Sequence, residues 1–165
     1  MFNKKCSIMK MTKLNLSTIL IVMVFMTGSL GLTNDLKAQT IKPTKVESSK
    51  DFDGTIDAIK KAVSGGGMMV LSELNQGEIL SMTGFQVKAH SFFIGNPKVG
   101  KNAFSADPSV GVVIPVRVNV YEQNGSTFVN YFKPSDLMGA YGKDVKMIGE
   151  KLDGKLDKMM NMIAR

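Results

Sequence analysis

The spacing of apolar positions changes along the chain, and each change marks a predicted element. Residues 18–32 form an uncharged, mostly apolar run without period. A polar stretch containing Pro43 leads into a first strand expected at residues 44–48. Phe52, Ile56, Ile59 and Val63 then recur at spacings of four, three and four, which draws one face of a helix. Asp51, Asp53 and Asp57 lie near its start and Lys60 and Lys61 near its end, in the sense that the helix dipole favours. Gly65-Gly66-Gly67 stops it. A strand is predicted at 68–74, one or two helical turns at 78–82, and another strand at 86–94. In the last of these Val87, Ala89, Ser91 and Phe93 face one way, with Lys88, His90 and Phe92 opposite. Gly95-Asn96-Pro97 breaks that strand, and 98–106 reads as a short helix or loop.

Val110, Val112, Ile114, Val116, Val118 and Val120 alternate without interruption, which predicts one strand with a buried face. Asn124-Gly125 is the favoured two-residue hairpin turn, with residues 126–132 as the return strand. With those two residues at the tip, Val120 opposes Val129 and Val118 opposes Tyr131 on the apolar face. On the other face Tyr121 opposes Phe128, Asn119 opposes Asn130 and Arg117 opposes Phe132. A surface mixing aromatic and polar side chains suits a ligand or a partner subunit, while ordinary cross-strand pairing on a wet face explains it equally well. From Pro134 onward Leu137, Tyr141, Val145, Ile148, Leu152, Leu156, Met159 and Ile163 form one helical stripe. Gly142, Gly149 and Gly154 weaken that helix by about 1 kcal/mol each, so packing must hold it, either over the sheet or against another subunit.

Charge changes the reading of the first 38 residues. Lys4, Lys5, Lys10 and Lys13 precede the apolar run, and Leu36-Lys37-Ala38 follows it. This is the order of a secretory signal cut before Gln39, and the apolar run is short for a spanning helix. Net charge falls from +7 to +3 once the leader is removed, leaving 16 basic and 13 acidic residues, which argues against nucleic acid as partner. Cys6 is the single cysteine and leaves with the leader, so the mature chain has no disulfide, thiolate nucleophile, cysteine metal ligand or lipid-anchoring cysteine. The expected location is the periplasm or the extracellular space, with no stable membrane anchor.

Several motifs invite chemistry that their surroundings do not support. Asp51-Phe52-Asp53-Gly54-Thr55 looks like the first motif of haloacid-dehalogenase phosphatases, but a polar segment precedes it where a buried strand is needed. An acidic helix start accounts for it. Residues 95–102 nearly spell a phosphate-binding loop, yet Asn102 stands where the magnesium-binding hydroxyl belongs. Lys98 and Lys101 leave a weaker anion site as the reading there. His90 is the single histidine, so no histidine cluster can hold zinc. Met159, Met160 and Met162 offer thioethers to Cu(I), although Met159 belongs to the apolar stripe. No cofactor or metal is expected.

Phe52 to Val63 before a glycine break, Gly95-Asn96-Pro97, Ala106-Asp107-Pro108, Ile114-Pro115-Val116-Arg117-Val118, Asn124-Gly125, Tyr131 and Pro134 together resemble the domain of unknown function 302 family. The resemblance covers residues 51–137. It implies a two-layer α+β fold, a curved antiparallel sheet with helices packed on one face, similar to the TATA-binding-protein-like architecture. It also implies a homodimer, and no established reaction. Asn75-Gln76 stands where many members look like Asp-His, and Gly95 and Val116 stand where another branch has cysteines, so any chemistry of those residues does not carry over.

The expected organisation is a signal peptide at 1–38, a linker and first strand at 39–50, the family core at 51–137 and a long amphipathic C-terminal helix at 138–165. The expected function is that of a non-catalytic envelope domain that dimerises and binds a small ligand on the mixed sheet face. His90, Arg117, Asn119, Tyr121 and Asn130 are the polar candidates there, with Asn96 at a strand end. The alternatives are an enzyme of unknown class using His90 or a carboxylate, and Cu(I) binding by the C-terminal methionines.

Overall fold

The computed structural model describes residues 40–164, so the predicted signal peptide lies outside the described residues. Among the described residues, five antiparallel strands form one sheet in the order β1-β5-β4-β3-β2. They are β1 (Thr44–Glu47), β2 (Met69–Asn75), β3 (Ala89–Gly95), β4 (Val116–Gln123) and β5 (Ser126–Tyr131). The helices are α1 (Phe52–Gly65), α2 (Gln76–Ser81), α3 (Pro97–Ala106), α4 (Pro134–Met138) and α5 (Lys143–Ile163). This is the α+β architecture expected, with a long C-terminal helix.

The β4–β5 hairpin has the register read from its turn: Val118 opposes Tyr131, Asn119 opposes Asn130 and Tyr121 opposes Phe128. Asn124 and Gly125 have φ of 54° and 81°, the left-handed pair that a tight hairpin turn requires. One face of the sheet, carrying Phe92, Ile94, Val116, Val118, Val120 and Val129, is buried in a single core with Ile59 and Val63 of α1 and Leu152, Leu156 and Met159 of α5. Helix α5 packs within its own chain, against α1, α3 and α4. The Tyr131 hydroxyl donates to Asp157 Oδ1 at 3.2 Å, tying β5 to α5. Burial first, and the Asp157 charge second, push that phenol up to about 12.

Caps explain where the helices begin. The Asp51 carboxylate accepts from the Gly54 N–H at 2.8 Å, and the buried Thr55 hydroxyl donates to the Asp51 carbonyl at 2.7 Å. The acidic motif at 51–55 is therefore the start of α1. Asn96 Oδ1 accepts from the Lys98 and Val99 N–H groups, and its Nδ2 donates to the Gly67 carbonyl at 2.9 Å. Residues 95–102 are thus a strand end, a cap and the first turns of α3, and do not form a phosphate-binding loop.

Two predicted elements differ. The alternating run does not form one strand: residues Pro108–Val112 are a 3-10 helix and β4 begins only at Val116. Val110 is fully buried whereas Val112 is 80% exposed, so the two share no face. Turn chemistry overrides the alternation. Asp107 accepts from both the Ser109 N–H and hydroxyl, Pro108 fixes φ at the first turn, and Pro115 has no N–H for the ladder. The C-terminal helix does not run unbroken through 138–165 either. After α4 comes a 3-10 turn at Gly139–Tyr141, and Gly142, with φ of 98°, separates it from α5. That backbone conformation is open to glycine and strained for other residues.

Candidate functional site

Cross-strand partners share a face, so the register sorts the polar residues of the sheet. Ser91 opposes Asn119, Asn119 opposes Asn130, and Asn130 opposes Lys45, which places one row of polar side chains across four strands. Phe93 opposes Arg117, and Tyr121 opposes both Ala89 and Phe128, on the same face. The layer of α1, α3 and α5 lies on the other side.

The centre of this open face is a connected hydrogen-bond network. Asn119 Nδ2 donates to Asn130 Oδ1 at 3.1 Å, and the Ser91 hydroxyl lies 3.2 Å from Asn119 Oδ1. Gln76, the first residue of α2, brings its Oε1 to 3.0 Å from the same hydroxyl. Ser91 has one hydroxyl hydrogen, so it donates to one of these amide oxygens at a time. Its lone pairs accept from Arg117 Nε at 3.2 Å. Ser91 is completely buried beneath these partners.

Arg117 is the cation of this network. Its Nε is fixed by Ser91 and its guanidinium carbon lies 6.0 Å from the centre of the Phe93 ring. Among the described residues it has no ion-pair partner, which leaves its terminal amino groups to solvent or ligand. Tyr121 and Phe128 sit farther along the face with ring centres 5.5 Å apart, and Lys45 Nζ lies 3.7 Å from the Phe128 ring centre. That ammonium is held by aromatic faces.

Two clefts meet at Arg117. One, of about 280 Å³, is lined by Pro43, Gln76, Asn119 and Asn130. The other, of about 430 Å³, is lined by Phe93, Val112, Val113, Pro115 and Leu137. Arg117 and Phe132 border both. A separate apolar cavity of about 180 Å³ lies under α3, between Val99, Phe104, Met138 and Leu152. Its lining has no titratable side chain, and its one amide, Asn96, is used in the α3 cap.

Arg117, Asn119, Tyr121 and Asn130 are therefore together on the open face. His90 is not with them. It opposes Val120, a core residue, so its ring points to the helix side, 4.8 Å from the Phe92 ring. Its Nε2 lies 3.1 Å from Glu73 Oε2, an oxygen also 3.0 Å from Lys60 Nζ of α1. Asn96 is likewise apart, as the cap of α3. Gln76 and Ser91 join this network although no sequence motif marks them. The parity of Ser91 with Phe93 was visible in the sequence, but the return of Gln76 over the sheet depends on how α2 turns. The C-terminal methionines do not form a joint site: Met159 and Met160 are buried in the core while Met162 is 54% exposed.

Glu73 supplies a pH prediction. Burial works to raise its carboxyl, but hydrogen bonds and charge from Lys60 and His90 together outweigh this and hold it below the ordinary 4.5. A depressed carboxyl stabilises the fold above its unfolded value and loses that contribution as pH falls through the folded value. Because Glu73 and Lys60 are about a third and a half exposed, Glu73→Gln should cost less than about 1 kcal/mol at neutral pH. Chemical denaturation between neutral and acid pH should show that the variant converges with the parent as the medium is acidified. A constant gap would mean that charge is not the cause.

A family model described as domain of unknown function DUF302 matches residues 44–163. Among solved structures, the crystal structure of an uncharacterized conserved DUF302 protein from Bacillus stearothermophilus superposes with a TM-score of 0.69 at 22% identity, covering 73% of this chain and 97% of that one. This likeness is one of fold. No curated protein matches the chain.

Proposed function

The chain belongs to the DUF302 family, and from that premise we propose that it is an exported, non-catalytic, dimerising domain that binds a small ligand on its open sheet face. The observation that carries the reading is Arg117, a guanidinium held at one nitrogen by Ser91 and without an ion-pair partner among the described residues. A fixed cation beside the amides of Gln76, Asn119 and Asn130 is equipped to recognise an anionic ligand. It is poorly equipped for proton transfer. Amide side chains are neither acids nor bases at ordinary pH.

Dimerisation draws support from the β2 edge. This seven-residue strand closes the sheet, and Met69, Leu71 and Leu74 on it are exposed, as are Ile79, Leu80, Met82 and Phe85 just beyond. An exposed apolar edge strand is a template for another strand, and antiparallel pairing with a second copy is self-complementary. Export rests on the leader sequence. Among the described residues no helix is long and apolar enough to cross a membrane.

Native mass spectrometry of the mature protein from the exported fraction tests the three parts together. The expected result is a dimer carrying additional mass that denaturation releases. A bare monomer would remove both dimer and tight ligand, and recovery of the unprocessed chain in the cytoplasm would remove export. The enzyme reading keeps one residue to test, since a discovered activity lost in His90→Ala would move the site to the helix side.

A further inference from the structure

Resting on the open-face reading, we infer that the ligand at Arg117 is a small amphipathic anion, an apolar body ending in a single carboxylate. Both clefts that meet at this residue are walled mainly by hydrocarbon, and the one of Gln76, Asn119 and Asn130 adds amide groups to it. Arg117 stands at their junction with Phe132, which is 43% exposed, and Val112, in the other cleft, is 80% exposed. Val112, Phe132 and the guanidinium thus place exposed apolar surface directly beside a positive charge.

Three kinds of ligand can be compared on these walls. A small inorganic or short-chain anion answers the guanidinium and leaves the hydrocarbon wet. A neutral hydrocarbon covers the wall and strips water from an unpaired cation, which opposes binding. An amphipathic carboxylate meets both, with its oxygens on the terminal amino groups and its chain along Phe93, Pro115 and Phe132. Ser91 holds Arg117 by its Nε, which leaves the terminal amino groups for the carboxylate. Each methylene fully buried strengthens binding about fourfold.

Calorimetric titration of the mature protein with octanoate, octan-1-ol and acetate tests this, alongside Arg117→Met and Val112→Asp. Octanoate is expected to bind at least roughly tenfold more tightly than either control. Arg117→Met, which keeps the aliphatic stem, should bring octanoate down to the level of octan-1-ol, and Val112→Asp, which puts a polar group on the apolar wall, should weaken both octanoate and the uncharged octan-1-ol. Unchanged denaturation midpoints in both variants show that the fold is intact. Equal binding of octanoate and octan-1-ol, or octanoate binding indifferent to Arg117→Met, overturns the inference. Acetate binding as tightly as octanoate and depending on Arg117 overturns the amphipathic ligand while leaving the open-face site standing. No titratable octanoate binding overturns it as well, and the released mass in the native spectrum then decides the site separately. Conversion of the dimer to monomer by Val112→Asp would mean that a second copy covers the apolar cleft, which also overturns it.

Discussion

Phe92→Ala is expected to destabilise the domain by about 3–5 kcal/mol, the largest effect of any single change considered. Phe92 is completely buried on β3, opposite Val118 and Glu73, and faces the helical layer with the His90 ring 4.8 Å away. Removing its ring leaves a cavity walled by strands on both sides, and paired strands cannot close in to fill it. The lost transfer free energy is then joined by lost dispersion contacts. Against a typical total stability of about 5–15 kcal/mol, this removes a large part of the margin. Phe85→Ala is the control. Phe85 is 59% exposed, and its truncation should stay within about 0.5 kcal/mol. Urea denaturation with an unchanged slope checks both, and similar shifts for the two variants would show that Phe92 is not the packing centre of β3.

Gly149→Ala is expected to destabilise by about 1–2 kcal/mol, although helix propensity alone favours alanine by about 1 kcal/mol. A Cβ at this position would lie 2.7 Å from the Ser135 Cα and 2.8 Å from its nitrogen. These are backbone atoms of α4, so no rotamer change relieves the overlap. One turn along α5, Asp153 Oδ1 accepts from the Ser135 N–H at 3.2 Å and caps α4, whose own Lys133 offers no side-chain cap. Separating the helices would also stretch that bond. Gly154 is in the same helix with nothing within 4 Å of its Cβ position, so Gly154→Ala should stabilise by up to about 1 kcal/mol. Opposite signs from the same substitution in one helix are the test, read as midpoints of thermal or urea unfolding. Two gains would show that α4 yields easily and that the close approach is not required.

How much of this was legible depends on whether the information is local. Asn124-Gly125 sets the β4–β5 register from within the turn, so Asn119 and Asn130 could be paired from sequence. The β3–β4 pairing has no such pivot, because residues 97–112 fold into α3 and a 3-10 helix between the two strands. Alternation therefore sets His90 apart from Ser91 and Phe93, but it does not say which of the two faces is the open one that carries Arg117. A shift of one residue exchanges every side chain between faces, and only the pairing of His90 with Val120 decides it. The valine run misled for a related reason, since alternation describes what a strand would bury but not whether Asp107, Pro108 and Pro115 permit one.

By itself the sequence determined the elements with strong local signals: the amphipathic α1 and its acidic start, the hairpin, the apolar stripe of α5, and the family that these features share. Capping, turn geometry and periodicity act between residues close along the chain, so they are readable without coordinates. The tertiary structure alone decided that Gln76 reaches Ser91, that Arg117 stands where two clefts meet, that His90 lies on the helix side, and that Gly149 is a contact point rather than a weakness. Each of these depends on packing between segments distant in sequence, where van der Waals contact and hydrogen-bond reach are set by angstroms that no residue pattern encodes.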